Sequence, residues 1–87
     1  MVKKTLTVTN AAGLHARPAS YFVKEASMHA CNVTLRKGEK SYNAKSILSV
    51  LSACVKSGTQ IEILCDGSGE AEALIGIVAA VESGLGE

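Results

Sequence analysis

Residues 2–26 read VKKTLTVTNAAGLHARPASYFVKEA, and within them the hydrophobic period changes once. Val2, Leu6 and Val8 recur at even spacing with Lys4 among them, while Lys3, Thr5 and Thr7 fall between, the period of two that predicts a strand. Asn10 to Gly13 interrupts it with turn-forming residues. From Ala16 the apolar positions Ala19, Phe22, Val23 and Ala26 follow helical spacing. Pro18 falls in the first turn, where its missing N–H leaves no hydrogen bond unmade. The segment is therefore a strand, a short turn and a helix.

Working outward, Cys31, Val33 and Leu35 share one face of a second strand, with Asn32, Thr34 and Arg36 on the other. Lys37-Gly38-Glu39 turns the chain into a short strand around Ser41 to Ala44, predicting a hairpin. Ser46 is a natural N-cap for a second helix, expected to reach about Val55 and to stop near Gly58. Gln60 to Asp66 is a further strand with Ile61, Ile63 and Cys65 inward. Asp66-Gly-Ser-Gly69 then leads to a last helix carrying Leu74, Ile77, Val78 and Val81. Glu70 and Glu72 sit in its first turn, where the helix dipole favours acids. The order β-α-β-β-α-β-α with half-polar strands predicts an α+β fold, a two-layer open-faced sandwich. Its antiparallel sheet would carry the helices on one face and leave the other to water.

The 87 residues suffice for a single domain, expected over 1–87. At 47% hydrophobic and 20% charged the chain is expected to fold around a core. Tyr21, Phe22 and Tyr42 are its only aromatics and the net charge is +1. That composition argues against nucleic-acid binding, which wants stacking rings or a basic surface. The longest apolar run, Ala73 to Val81, falls well short of the roughly 20 residues that span a bilayer. Met1 to Asn10 lacks the apolar run of a signal peptide, so a cytoplasmic protein is expected. Cys31, Cys54 and Cys65 are odd in number and form no Cys-x-x-Cys box, which favours small buried hydrophobes in a reducing compartment. His29 and Cys31 make two metal ligands without a third or fourth, so no metal is expected. The Gly67-Ser-Gly69 loop has no cation beside it and reads as a plain turn rather than a phosphate cradle.

The second helix carries more apolar surface than a sheet can cover. Ile47, Val50, Leu51 and Cys54 span one face, and Leu48 and Val55 widen the arc to about 160°. A helix on a sheet needs little more than about 100°. Leu48, with the outer edges of Ile47 and Leu51, is expected either to meet a partner or to be pressed against a neighbouring helix.

The chemistry concentrates in GLHARPAS, residues 13–20. His15 stands at the N-cap position of the first helix and Arg17 follows within its first turn. Free N–H groups at a helix start carry roughly half a positive charge, and a guanidinium beside them suits phosphate. That potential disfavours imidazolium, so a neutral ring able to act as nucleophile is expected. A phosphoryl-accepting histidine needs such a ring, charge neutralisation and open access. No Walker-type glycine loop and no acidic cluster for magnesium is present, so the donor is expected to be another protein, with no cofactor.

On GLHARPAS and on KSILSVL, residues 45–51, and in length and element order throughout, the chain resembles the HPr family of phosphocarriers of the bacterial phosphoenolpyruvate-dependent sugar phosphotransferase system. The resemblance implies a four-stranded sheet in the order 1-4-2-3 under three helices. It implies phosphorylation of His15 on Nδ1 by phospho-enzyme I, transfer to enzyme IIA domains of sugar permeases, and steadying of the phosphate by Arg17. Ser20, Tyr21 and Lys24, with Ile47, Leu48 and Leu51, would meet those partners, and a monomer is expected. Ser46 before Ile47-Leu48 resembles the regulatory serine of the low-GC Gram-positive form. There an HPr kinase/phosphorylase modifies it, and the modified carrier acts with the catabolite control protein. Ser49 stands where a glycine is frequent in that form.

Three other readings compete with the carrier. A purely regulatory module acting through Ser46 is opposed by His15, which the family's catabolite-repression paralogue lacks. A metallochaperone would want a Cys-x-x-Cys loop after the first strand, and Asn10 to Leu14 holds no cysteine. A nitrogen-branch carrier shares the histidine motif, but Ser46-Ile47-Leu48 leans to the sugar branch.

Overall fold

The first strand ends at Thr7, three residues before the change of period at Asn10, and the chain then turns toward its first helix. The computed structural model describes residues 1–86. Strand β1 (Val2–Thr7) is followed by α1 (Ala16–Ser27), β2 (Asn32–Lys37), β3 (Lys40–Asn43), α2 (Ile47–Ser52), β4 (Gln60–Asp66) and α3 (Glu70–Glu82). The strands form one sheet in the order β1-β4-β2-β3, every pair antiparallel, with three helices against it, as expected.

Register follows from the inward residues. Leu6 lies opposite Ile61, Val33 opposite Cys65 and Leu35 opposite Ile63, so the apolar side chains of β1, β4 and β2 align on one face. They join Ala19, Phe22 and Ala26 of α1, Val50 of α2 and Ala73, Ile77, Val78, Ala80 and Val81 of α3 in one core. Phe22 is wholly buried, and burying a side chain of that size stabilises by about 1.5–3 kcal/mol. Helix α3 packs on β1 and β4, α1 on α3 and α2, and α2 reaches β3. The other face carries the polar Lys3, Thr5, Asn32, Arg36, Ser41 and Glu62, with Leu64 among them.

Three local differences from the expected elements have physical causes. Strand β3 spans Lys40–Asn43 rather than Ser41 to Ala44, because the tight turn uses Gly38 at φ +62° and pairing resumes directly at Lys37 opposite Lys40. Helix α2 ends at Ser52, about one turn before Val55. Ala53 is its C-cap and Cys54 adopts φ +53°, which ends the helical backbone. Cys54 is thereby turned out to solvent, against the expectation of three buried thiols, while Cys31 and Cys65 are buried. Burial, with the neighbouring Cys31, pushes the Cys65 thiol up to about 11.

The over-wide apolar arc of α2 resolves as surface. Val50 is buried, Leu51 half-buried, and Leu48 is 78% exposed with Ile47 at 37%. At the β4–α3 turn, Gly69 is the N-cap in the left-handed region, and the Glu70 carboxylate accepts from Gly67 N at 3.1 Å. That helix start is occupied by its own acid, and the loop is a turn.

Candidate functional site

The Asn10–Leu14 loop is fixed before it reaches His15. The buried Asn10 side chain donates from Nδ2 to Gly13 O at 2.8 Å, and Gly13 N donates back to Asn10 O at 3.1 Å. Leu14 N donates to Val55 O at 2.9 Å, and the Leu14 side chain is buried in the core. Gly13 takes φ +63°, and a Cβ there would stand 2.3 Å from Val55 O and 2.9 Å from Lys56 Cα. Only glycine fits between the loop and the segment that follows α2.

His15 is the first side chain released from this anchorage. It is the N-cap of α1 with φ −137° and ψ 151°, is exposed, and makes no side-chain capping bond, so the imidazole is not spent on the helix. Ala16, at the first helical position, has φ +51°, a conformation that costs of order 1–3 kcal/mol for a residue with a Cβ. The anchored Gly13–Leu14 on one side and the buried Pro18 and Ala19 on the other hold it there. The first turn of α1 carries no acid, so the positive end of the helix is left for an outside anion. Arg17 is exposed in that turn.

Arg17, Ser20, Tyr21 and Lys24 follow at helical spacing on one exposed face of α1, continuous with His15. Tyr21 packs under the chain end, its Cδ2 lying 3.3 Å from where a Cβ on Gly86 would stand. Ser46 is the N-cap of α2, its Oγ accepting from Ser49 N at 3.3 Å. Ser49 is itself used: its Oγ accepts from Asn43 N at 2.9 Å and ties the end of β3 to α2. Because α1 packs on α2, the face bearing Arg17 and Tyr21 and the exposed Ile47 and Leu48 belong to adjoining helices. His29 lies elsewhere, its Nε2 3.1 Å from Glu25 Oε2, with both side chains over Gly76 of α3. A hollow on the open sheet face, lined by Asn32, Thr34, Ser41, Asn43, Leu64 and Asp66, takes no residue from the His15 loop. His15 projects from a helix end, a shape suited to a macromolecular partner.

Sequence reasoning found the Asn10-to-Gly13 turn but missed three parts of this site. The bond from the Asn10 side chain to Gly13 O is a local signal, because Asn side chains bond backbone a few residues on. The strain at Ala16 and the support from Val55 carry none, since both arise from tertiary contact.

Residues 2–83 match the family model described as PTS HPr component phosphorylation site. The chain is 43% identical over 74 residues to phosphocarrier protein HPr of Mycoplasma capricolum subsp. capricolum, covering 85% of this chain and 83% of that one. It is 40% identical over 82 residues to HPr-like protein Crh of Bacillus subtilis, covering 94% and 96%. Among solved structures, HPr-C-His from Thermoanaerobacter tengcongensis superposes with a TM-score of 0.97 at 38% identity, covering 100% of this chain and 98% of that one. A second structure from that organism, at a TM-score of 0.80, 38% identity and full coverage of both chains, is described as an HPr dimer. The expectation of a monomer is corrected accordingly: likeness to these chains accommodates a dimer as readily.

Proposed function

The chain belongs to the HPr family, and on that premise we propose that it is a phosphocarrier of the sugar phosphotransferase system, accepting a phosphoryl group on His15 from phospho-enzyme I and passing it to enzyme IIA domains. The observation that carries this reading is the exposed imidazole at the acid-free start of α1, unused as a cap and set on an anchored loop. The lone pair of the ring nitrogen attacks phosphorus, the donor's bond to phosphorus breaks, and that electron pair leaves with the donor. The arriving charge meets the backbone N–H groups of the first turn and the Arg17 guanidinium. The reverse of the same step hands the group on, so the protein is carrier rather than catalyst. It works in the cytoplasm, and no described helix is long and apolar enough to cross a membrane.

Incubation with enzyme I and phosphoenolpyruvate should add one acid-labile phosphoryl group to the wild type and none to His15→Ala. With no side-chain cap to lose, the variant should melt close to the wild type, losing less than the ~1 kcal/mol of an N-cap. An acid-labile phosphate on His15→Ala would refute the site.

A regulatory role at Ser46 is favoured by the likeness to Crh proteins and by the surface beside that serine. A phosphate on Ser46 would place nearly two negative charges next to Ile47 and Leu48. It would thus repel or desolvate a partner shaped for them, leaving His15 in place. Enzyme I should bind the Ser46-phosphorylated protein more weakly, with an intact melting curve. Unchanged affinity would contradict the docking effect.

A further inference from the structure

Lys37 ends β2, yet its ammonium lies at the C-terminal end of α2. Nζ donates to Ala53 O at 3.0 Å and to Cys54 O at 3.2 Å. Helix α2 has no basic residue in its own last turn, so a cation from another element meets the carbonyls that the helix leaves open. Just beyond, Cys54 holds φ +53°, a backbone that a Cβ disfavours. That turn sets Val55 O to accept from Leu14 N, one residue before His15, and to abut Gly13, two before it. A continuous series of bonds thus runs from the Lys37 ammonium to the loop that presents the imidazole.

We propose that Lys37 is a positioning residue for phosphoryl acceptance: by holding the Ala53 and Cys54 carbonyls it fixes the strained turn on which Gly13 and Leu14 rest, and so the direction in which His15 leaves the loop. The assignment deepens the carrier reading and rests on it. Lys37 touches neither phosphate nor imidazole. Its loss removes both donors, lets Cys54 relax out of the left-handed region, and shifts Val55 O against Leu14 N. In-line attack is sensitive to displacements of that kind.

The test is the rate of phosphoryl acceptance from enzyme I charged with phosphoenolpyruvate, measured against carrier concentration. Lys37→Met keeps the length of the stem and loses the donors. It should lower the maximal rate about tenfold with KM for the carrier unchanged. Lys37→Arg should recover most of the rate, because a guanidinium can still donate to both carbonyls. Cys54→Gly added to Lys37→Met should also restore it, since glycine holds a positive φ without strain. An unchanged maximal rate in Lys37→Met would overturn the proposal. So would a raised KM at full maximal rate, the mark of a docking charge, or no recovery in the glycine double variant. If the wild type takes no phosphoryl group, the carrier reading falls as well. If it does and Lys37→Met matches it, only the assignment of Lys37 falls.

Discussion

At the scale of residues, the site depends on a position that has no side chain. Gly13 combines φ +63° with a Cβ direction blocked at 2.3 Å by Val55 O, and the obstacle is backbone that cannot rotate away. Gly13→Ala should therefore cost more than the usual surface substitution, about 2 kcal/mol or more, and should slow phosphoryl acceptance by displacing Leu14 and His15. Thermal melting and transfer rates on the same variant check this, and near-wild-type values for both would contradict the anchored loop. Arg17 poses a different question, because its charge and its shape can be separated. Arg17→Lys keeps the charge but replaces a planar fork of donors with a point charge, so transfer should slow while the melting temperature holds. Equal transfer rates would mean that Arg17 contributes bulk charge alone.

At the scale of elements, the two short ends of α2 behave differently. Its start was legible, since Ser46 caps it through Ser49 N as its residue type predicts. Its end was not, because the residue that completes it, Lys37, is sixteen positions away on another strand, and a periodicity read along the helix cannot see it. The same early stop exposes Cys54, which the helical arc had placed inward. The over-wide arc of α2 left Leu48 either outward or pressed against a neighbouring helix, and the structure places it outward. Leu48→Asp should weaken binding to enzyme I with little change in melting temperature, as expected of a side chain 78% exposed. A large fall in melting temperature would make Leu48 part of the core instead.

The start of α3 offers a pH test. The Glu70 carboxylate meets the amino terminus at 2.9 Å and accepts from Gly67 N, and these hydrogen bonds hold it below its ordinary value of 4.5. The same contact with Glu70 raises the amino group above 8.0. A depressed carboxylate stabilises the fold above its unfolded value and loses that as pH falls through the folded one. A raised amine stabilises below its unfolded value and loses that as pH rises through the folded one. The melting temperatures of wild type and Glu70→Gln should thus differ most between pH 4.5 and 8.0 and converge on either side. A gap independent of pH would contradict the pairing.

At the scale of the whole molecule, the order of elements was readable because each strand keeps a polar half and each helix an apolar stripe. One face of the sheet is covered and the other is wet. Strand order was not contained in periodicity, which says which side chains point inward but not which strand lies beside which. It came with the family resemblance. The same division holds at the site. His15 and Arg17 stand out in the sequence by their chemistry, whereas Gly13, Lys37 and Val55 act through contacts between distant segments. The fold thus brings the chain that follows α2 against the loop that precedes α1, and the imidazole projects from the join.

The most direct measurement is peptide mapping of the protein after phosphorylation by enzyme I and phosphoenolpyruvate, with each phosphopeptide tested for acid lability. A single acid-labile phosphoryl group on the peptide containing His15, transferable to an enzyme IIA domain, is the result this account predicts. An acid-stable phosphate, or an acid-labile one on the peptide containing His29, would contradict it.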